Sequence, residues 1–133
     1  MAGTFKIELV SPERVLLSGE ATEVIVPGVA GDFTVLAGHA PVISAIRPGV
    51  LDIRLPSGQR RIYVRGGFAE VDPTQLTILA QNLVDVTEGD AAQLAMEMRV
   101  AEQMLASATD DDSRLLANDA IAALKSLGAR VAA

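Results

Sequence analysis

The chain has 133 residues, of which 50% are hydrophobic and only 3% aromatic, and its formal net charge is -6 at pH 7. The excess of acidic residues argues against a nucleic-acid binder, because such proteins need clustered Lys and Arg to neutralise phosphates. The absence of cysteine excludes disulfides, thiolate metal sites and cysteine nucleophiles, and it fits a reducing compartment. We see no targeting segment and no apolar run of about 18 residues, so we expect any membrane attachment to be indirect.

Short alternating runs dominate the chain up to residue 86. In "TFKIELV", Phe5, Ile7 and Leu9 alternate with charged residues, and "TEVIVP", "RRIYVRG" and "TQLTILA" repeat this period of two. The pattern is typical of strands with one buried face. Turn signals separate these runs at Ser11-Pro12, Pro27-Gly28, Pro48-Gly49, Ser57-Gly58, Gly66-Gly67 and Asp72-Pro73. We therefore predict an all-β sandwich or barrel over residues 1–86.

The composition changes after Gly89: alanine becomes dominant, and all six prolines lie before this residue. Two stretches with helical periodicity follow, and the polar segment "SATDDD" separates them. Asp90 is the predicted cap of the first helix, and Gly128 is the predicted end of the second. The predicted apolar stripes comprise Ala91, Leu94, Ala95, Met98, Ala101 and Leu105, then Leu116, Ala120, Ala123 and Leu127. The short connection predicts an antiparallel two-helix hairpin over residues 87–133.

Motifs for chemistry are largely missing from the sequence. The stretch "GVAGD" lacks the pattern of a phosphate-binding loop, and we predict a β-turn there. Asp110, Asp111 and Asp112 lack the spacing of a calcium loop, and we predict that they complement the positive end of the second helix. The single histidine, His39, has no neighbouring nucleophile motif. Its residue type leaves three alternatives open, namely an interface or turn residue, a buried structural residue, or a catalytic one.

Arg60, Arg61 and Arg65 give the predicted strand "RRIYVRG" a basic face. The simpler interpretation is a face in contact with solvent. The alternative is a polar docking face for a partner protein.

The stretches "GDFTVLAGHAPVISAIRPGVLDI" and "YVRGGFAEVDPTQLTILA" resemble the epsilon subunit of the F-type ATP synthase. The matching motifs, in the family's order and spacing, are Gly31-Asp32, Gly38-His39-Ala40-Pro41, Arg47-Pro48-Gly49, Gly66-Gly67 and Glu70-Val71. The resemblance is strong over about residues 4–86, whereas the helical part is similar only in position and composition. It implies an α+β fold, with an antiparallel β-sandwich of about ten strands that is followed by an antiparallel two-helix hairpin.

The resemblance also implies a function. Epsilon-like subunits are non-catalytic parts of the rotor, and they pass torque from the membrane c-ring through the gamma subunit to the catalytic head. By this resemblance, Gly31 and Asp32 contact the polar loops of the c-ring. The residues implied at the gamma interface are Ser11, His39, Ala40, Pro41 and Ser44. No cofactor is implied, and the protein is expected peripherally on the cytoplasmic face of the inner membrane, or on the stromal face of the thylakoid in a plastid.

Two departures from the family bear on regulation. Some members bind ATP through a motif whose arginine is replaced here by Leu94, so we expect no tight ATP binding. Inhibitory members reach the alpha/beta catalytic head with a basic second helix. Here a regulatory arm has only Arg114, Lys125 and Arg130, with four acidic residues nearby, so we expect weak inhibition at most.

Two other classes of protein remain as alternatives. One is a stand-alone ligand-binding β-sandwich, such as a carbohydrate-binding module, which the lack of exposed aromatic residues disfavours. The other is an enzyme, which would need His39 beside a carboxylate and a serine.

Overall fold

A computed structural model of the chain describes residues 3–80, 82–86 and 91–132, with side chains up to residue 127. Ten strands precede two helices, as the α+β prediction required. The strands are β1 Phe5–Val10, β2 Val15–Ala21, β3 Glu23–Gly28, β4 Gly31–Val35, β5 Val42–Ile46, β6 Gly49–Leu55, β7 Gly58–Val64, β8 Gly67–Val71, β9 Gln75–Ala80 and β10 Leu83–Asp85. The helices are α1 Ala91–Ser107 and α2 Asp111–Ala132.

Nine strands form one curled sheet in the order β10-β7-β6-β3-β5-β8-β9-β1-β2. The remaining strand, β4, lies outside this order and pairs with β3. The predicted antiparallel sandwich is confirmed with one exception, because β1 and β9 are parallel. Parallel neighbours need a long connection, and here β1 and β9 are separated by most of the sandwich sequence. Consequently β1, β9 and β5 all run in the same direction across this half of the sheet.

The alternation along the strands predicts the main core correctly. Phe5, Ile7 and Leu9 of β1 are buried, and so are Leu76 and Ile78 of the neighbouring strand β9. Their side chains belong to one apolar cluster that fills the curled sheet. Because this cluster contains only residues of the strands, the sandwich closes a core of its own.

The two helices pack against each other as a hairpin, and residues 108–110 connect them. The predicted stripes are displaced in part, because Leu105 and Leu116 are 36% and 41% exposed. Leu94, Ala101, Ala120 and Leu127 of the predicted stripes are buried, and Ala117 and Leu124 are buried as well. The predicted end at Gly128 is wrong because α2 continues to Ala132, and a helix tolerates an internal glycine at a cost of about 1 kcal/mol. The predicted cap Asp90 and the other residues at the start of the predicted hairpin segment, 87–89, lie outside the described residues.

A second core lies between the hairpin and the outer face of the sheet. Tyr63 of β7 and Val84 of β10 are buried there against Leu94, Leu124 and Leu127. The hairpin therefore covers the strand face that we interpreted from sequence as solvated. Neither α1 nor α2, over their described residues, has the length and hydropathy of a helix that crosses a bilayer.

Two of the three arginines of the stretch "RRIYVRG" form ion pairs within the chain, one of them from the opposite face of β7. Arg60 forms an ion pair with Asp85 of β10, and Arg65 pairs with Glu97 of α1. The interpretation of these arginines as a solvated face is therefore wrong, because two of them hold neighbouring elements of the same chain.

Candidate protein interface

Gly31 and Asp32, the residues that the resemblance assigns to the c-ring, begin β4 directly after the turn that connects β3 to it. Both are exposed, and the Asp32 carboxylate accepts a hydrogen bond from Arg47 Nη2 at 2.7 Å. Arg47 Nη1 also donates to the carbonyl of Gly28, at 3.0 Å. Arg47 therefore clamps both sides of the turn, and Asp32 is already paired within the chain before any partner binds.

The loop that carries His39, Ala40 and Pro41 lies between β4 and β5. Gly38 has a φ of 83°, a conformation that favours glycine, and its N–H donates to the carbonyl of Pro73 at 2.9 Å. The His39 ring lies beside Phe33, with 6.4 Å between ring centroids, and its Nδ1 is 2.7 Å from the carbonyl oxygen of Ala40. His39 is half-buried, so the alternative of a fully buried structural histidine is wrong.

The five residues implied at the gamma interface do not form one patch. Ser11 follows the carboxyl end of β1, whereas the His39 loop precedes β5. Because β1 and β5 run in the same direction, these two sites lie at opposite ends of the sheet. Ser44 pairs directly with the buried Ala69, so its side chain shares the face that points into the core.

An exposed apolar row crosses the outer face of the same sheet, and the sequence analysis missed it. The pairing places Phe68 of β8 opposite Leu79 of β9, which is next to Val10 of β1, and Val10 is opposite Val15 of β2. Phe68, Leu79 and Val15 are 58%, 48% and 55% exposed. The adjoining row carries Glu8, Thr77 and Glu70, and it continues on β5 to Ile43, which is 74% exposed. An apolar strip with a polar rim is typical of a protein-binding surface.

The apolar row forms one wall of a groove of about 680 Å³. Val10, Phe68 and Leu79 line it together with Ser11, and Arg65 is its charged lining residue. The strand pairing beneath it depends on Gly67, which has a φ of 152° and where an added Cβ would lie 2.2 Å from the carbonyl oxygen of Leu79. The close approach of β8 to β9 at this end of the groove therefore requires a glycine.

Arg65 connects the groove to the hairpin. Its Nε donates to Glu97 Oε1 at 3.1 Å and its Nη2 donates to Glu97 Oε2 at 3.2 Å. The Arg65 and Glu97 side chains are only 24% and 12% exposed. Next to them, burial raises the pKa of Tyr63 to about 12; the negative charge of Glu97 adds to this rise, and the positive charge of Arg65 opposes it.

The predicted regulatory arm lies on α2. The guanidinium of Arg114 is paired with Asp111 at 2.8 Å, Lys125 is exposed, and the side chain of Arg130 lies outside the described residues. Asp110 caps α2 by accepting a hydrogen bond from the Ser113 N–H at 2.7 Å, and hydrogen bonds from Ser113 lower the pKa of this carboxyl. The prediction that these acidic residues serve the start of the helix is confirmed.

The arrangement offers little for chemistry. Among the described residues, no three histidine, cysteine or acidic side chains converge as a metal site would require. Leu94, at the position where ATP-binding members place an arginine, is 6% exposed in the second core. What the geometry does provide is the exposed apolar row with its groove, and the exposed residues around the β3–β4 turn.

The sequence family described as "ATP synthase, Delta/Epsilon chain, beta-sandwich domain" matches residues 4–86. The ATP synthase epsilon chain of Parvibaculum lavamentivorans is 44% identical over 128 residues, which cover 96% of this chain and 97% of that protein. The ATP synthase epsilon chain of Mesorhizobium japonicum is 43% identical over 128 residues, covering 96% and 95%. The chain therefore belongs to the ATP synthase epsilon chain family.

Solved structures show the same fold in rotary complexes. A chain of the Euglena gracilis mitochondrial ATP synthase, in a structure of OSCP, F1 and the c-ring, matches with a TM-score of 0.70 and 22% identity. The match covers 96% of this chain and 81% of that chain. A chain from the central stalk and c-ring of the Tetrahymena thermophila enzyme has a TM-score of 0.67 and 12% identity, with coverage of 96% and 98%.

Proposed function

We propose that this chain is a non-catalytic rotor subunit that binds the gamma subunit with its sandwich and rests on the polar loops of the c-ring. It transmits rotation between the ring and the catalytic head, and the chemistry of ATP belongs to other subunits. The chain has its place on the cytoplasmic face of the inner membrane, or on the stromal face of a thylakoid, and its partners hold it there.

The apolar row of Val10, Val15, Phe68 and Leu79 carries this proposal. A sheet of an isolated protein normally exposes polar side chains on its outer face, because the hydrophobic effect penalises apolar surface in water. Here the side chains of four adjacent strands are apolar at the same level of the sheet; Val15, Phe68 and Leu79 are exposed, and Val10 between them is half-buried. The row and the groove beside it give gamma a contact that includes Ser11 but does not require Ser44 or the His39 loop.

The β3–β4 turn is the proposed contact with the c-ring. Val29 at the tip of this turn is 57% exposed, and Arg47 holds Asp32 next to it. A turn that is fixed in this way transmits torque better than a free loop, since little ordering is needed when the ring binds. Asp32 contributes through its remaining acceptor positions, because one of its oxygens is already bonded to Arg47.

For the hairpin we propose a mainly structural role with weak inhibition. Its apolar residues pack on Tyr63 and Val84 of the sheet, so contact with the alpha/beta catalytic head through an extended hairpin would first have to break that core. Of the basic residues on the arm, Arg114 is already paired with Asp111. Exposed ion pairs contribute only about 0–1 kcal/mol each, so the arm gains little by binding an acidic surface.

Replacing Leu79 in the apolar row tests the gamma contact. Full-length wild-type chain and the variant Leu79→Ser are each co-expressed with the gamma subunit, and the complexes are separated by size-exclusion chromatography. Covering the exposed half of a leucine contributes about 1–1.5 kcal/mol, so we expect affinity for gamma to fall about tenfold in Leu79→Ser.

The matched control is Leu115→Ser, because Leu115 of α2 is 60% exposed and lies outside the row. We expect this variant to bind gamma as the wild type does. If wild-type chain and gamma fail to co-elute, the proposed function is wrong. If both variants bind equally well, gamma uses another face of the sandwich.

A further inference from the structure

Arg65 is shared by two parts of the structure that the proposed function treats separately. On one side it lines the groove beside Phe68 and Leu79, and on the other its guanidinium makes two hydrogen bonds to Glu97 of α1. The other strand arginines with described ion pairs, Arg54 and Arg60, bind carboxylates within the sandwich. Arg65 therefore contacts α1 of the hairpin and also lines the groove.

The charge of the groove depends on this pair. While the hairpin is docked, Glu97 neutralises Arg65, and the remaining lining is apolar or neutral. When the hairpin is displaced, Arg65 keeps its positive charge but loses its carboxylate, and the groove then carries an uncompensated charge. An apolar side chain that enters such a groove displaces water from the guanidinium without replacing its hydrogen bonds, which is unfavourable.

We propose that docking of the hairpin sets the affinity of the groove for gamma, through the Arg65–Glu97 ion pair. The occupant is an uncharged apolar side chain of gamma, because the groove is apolar and its charge is neutralised in the docked state. This inference rests on the proposed function, since it takes gamma as the partner. Binding of gamma then stabilises the docked hairpin, and the docked hairpin strengthens the binding of gamma, although the two contact Arg65 from different sides.

The effect of hairpin docking on gamma affinity and the effect of gamma binding on hairpin docking must be equal in size. If docking of the hairpin raises the affinity for gamma by a given factor, gamma shifts the docking equilibrium by the same factor. The rotor subunit thereby keeps its hairpin closed while its sandwich is properly seated on gamma. Loosening of the gamma contact would favour release of the hairpin.

The variant Glu97→Gln tests the coupling, because it removes the negative charge and keeps the shape of the side chain. Full-length chains are titrated with purified gamma by calorimetry, and the wild type gives the reference affinity. We expect Glu97→Gln to bind gamma about fivefold more weakly, although Glu97 does not line the groove. Glu102→Gln is the matched control on the same helix, because Glu102 is exposed, and it should bind like the wild type.

A double-mutant cycle separates charge from packing. In the background Arg65→Met no charge needs neutralising, so adding Glu97→Gln should cause no further loss of affinity. Hydrogen exchange of the α1 amides provides the reciprocal measurement. Saturating gamma should slow this exchange about fivefold in the wild type but not in the double variant.

The outcomes distinguish this inference from the function on which it rests. Lack of any binding between wild-type chain and gamma would overturn both. Equal gamma affinity of wild type and Glu97→Gln would overturn the coupling alone, and so would an equal effect of Glu97→Gln in the Arg65→Met background. Circular dichroism of each variant shows whether the sandwich is folded before it is titrated.

Discussion

Replacing Tyr63 with phenylalanine is expected to stabilise the protein. Tyr63 is completely buried in the second core, and within the described part of the chain its hydroxyl has no hydrogen-bond partner. A buried polar group without a partner costs about 1–3 kcal/mol, and Tyr63→Phe removes this group while keeping the ring. We expect a gain of about 1 kcal/mol in the free energy of unfolding, which raises the melting temperature by about 4 °C.

The pH dependence of the same variant gives a second, independent measure. Burial raises the pKa of Tyr63 from 10.0 to about 12, so the unfolded chain releases the phenolic proton more easily than the folded protein does. Stability is unaffected by this group below pH 10 and falls as the pH rises from 10 towards 12. At about pH 11 the loss amounts to about 1.4 kcal/mol, and Tyr63→Phe does not suffer it.

Urea denaturation of wild type and Tyr63→Phe near pH 7 and near pH 11 measures both effects. The advantage of the variant should be about 1 kcal/mol at the lower pH and more than twice that at the higher pH. Tyr63→Leu is the control for the ring, because it also removes the hydroxyl but leaves a cavity, and it should destabilise by about 1–3 kcal/mol. A loss of stability in Tyr63→Phe near pH 7 would refute the reasoning, since it would mean that the hydroxyl makes a favourable hydrogen bond.

Two further predictions concern the ring contact and the hairpin. Asp32→Lys places a second cation beside Arg47 at the exposed turn; we expect weaker attachment to a purified c-ring, measured by pull-down, with a stability loss of less than about 1 kcal/mol by thermal denaturation. An equal loss of stability and attachment would mean that Asp32 is structural. A chain ending at Val86 keeps the main core but exposes Tyr63, so we expect it to fold with a lower melting temperature and to bind gamma about fivefold more weakly. Because Arg114 is already paired, removing the hairpin should raise the ATPase rate of the complex less than about twofold. A several-fold rise would contradict the prediction that the hairpin inhibits only weakly.

Local patterns in the sequence predicted the elements and the main core. The alternation of Phe5, Ile7 and Leu9 is a property of neighbouring residues, because successive side chains of a strand point to opposite faces. The turn at Gly31 and the boundary between strands and helices also follow from local composition. The family motifs then predicted the family, which the relatives confirm.

The functional surfaces depend on pairing between distant parts of the chain, which a single sequence does not reveal. Phe68, Leu79 and Val10 form one row only because β8, β9 and β1 are neighbours in that register, and the parallel pairing of β1 with β9 has no local signal. The resemblance implied Ser44 at the gamma interface, but its pairing with Ala69 turns its side chain towards the core. This pairing, too, joins distant parts of the chain.

The hairpin shows the same division most clearly. Helical periodicity predicted α1 and α2, but it did not predict which face of the sheet they cover. The arginines of β7 favoured a solvated face, which the hairpin covers instead. Docking of the helices buries Tyr63 and brings Glu97 to Arg65, two residues that lie 32 positions apart in the chain. Period and composition determine which residues can be buried, whereas the partner of a charge is decided by which surfaces meet when the whole chain packs.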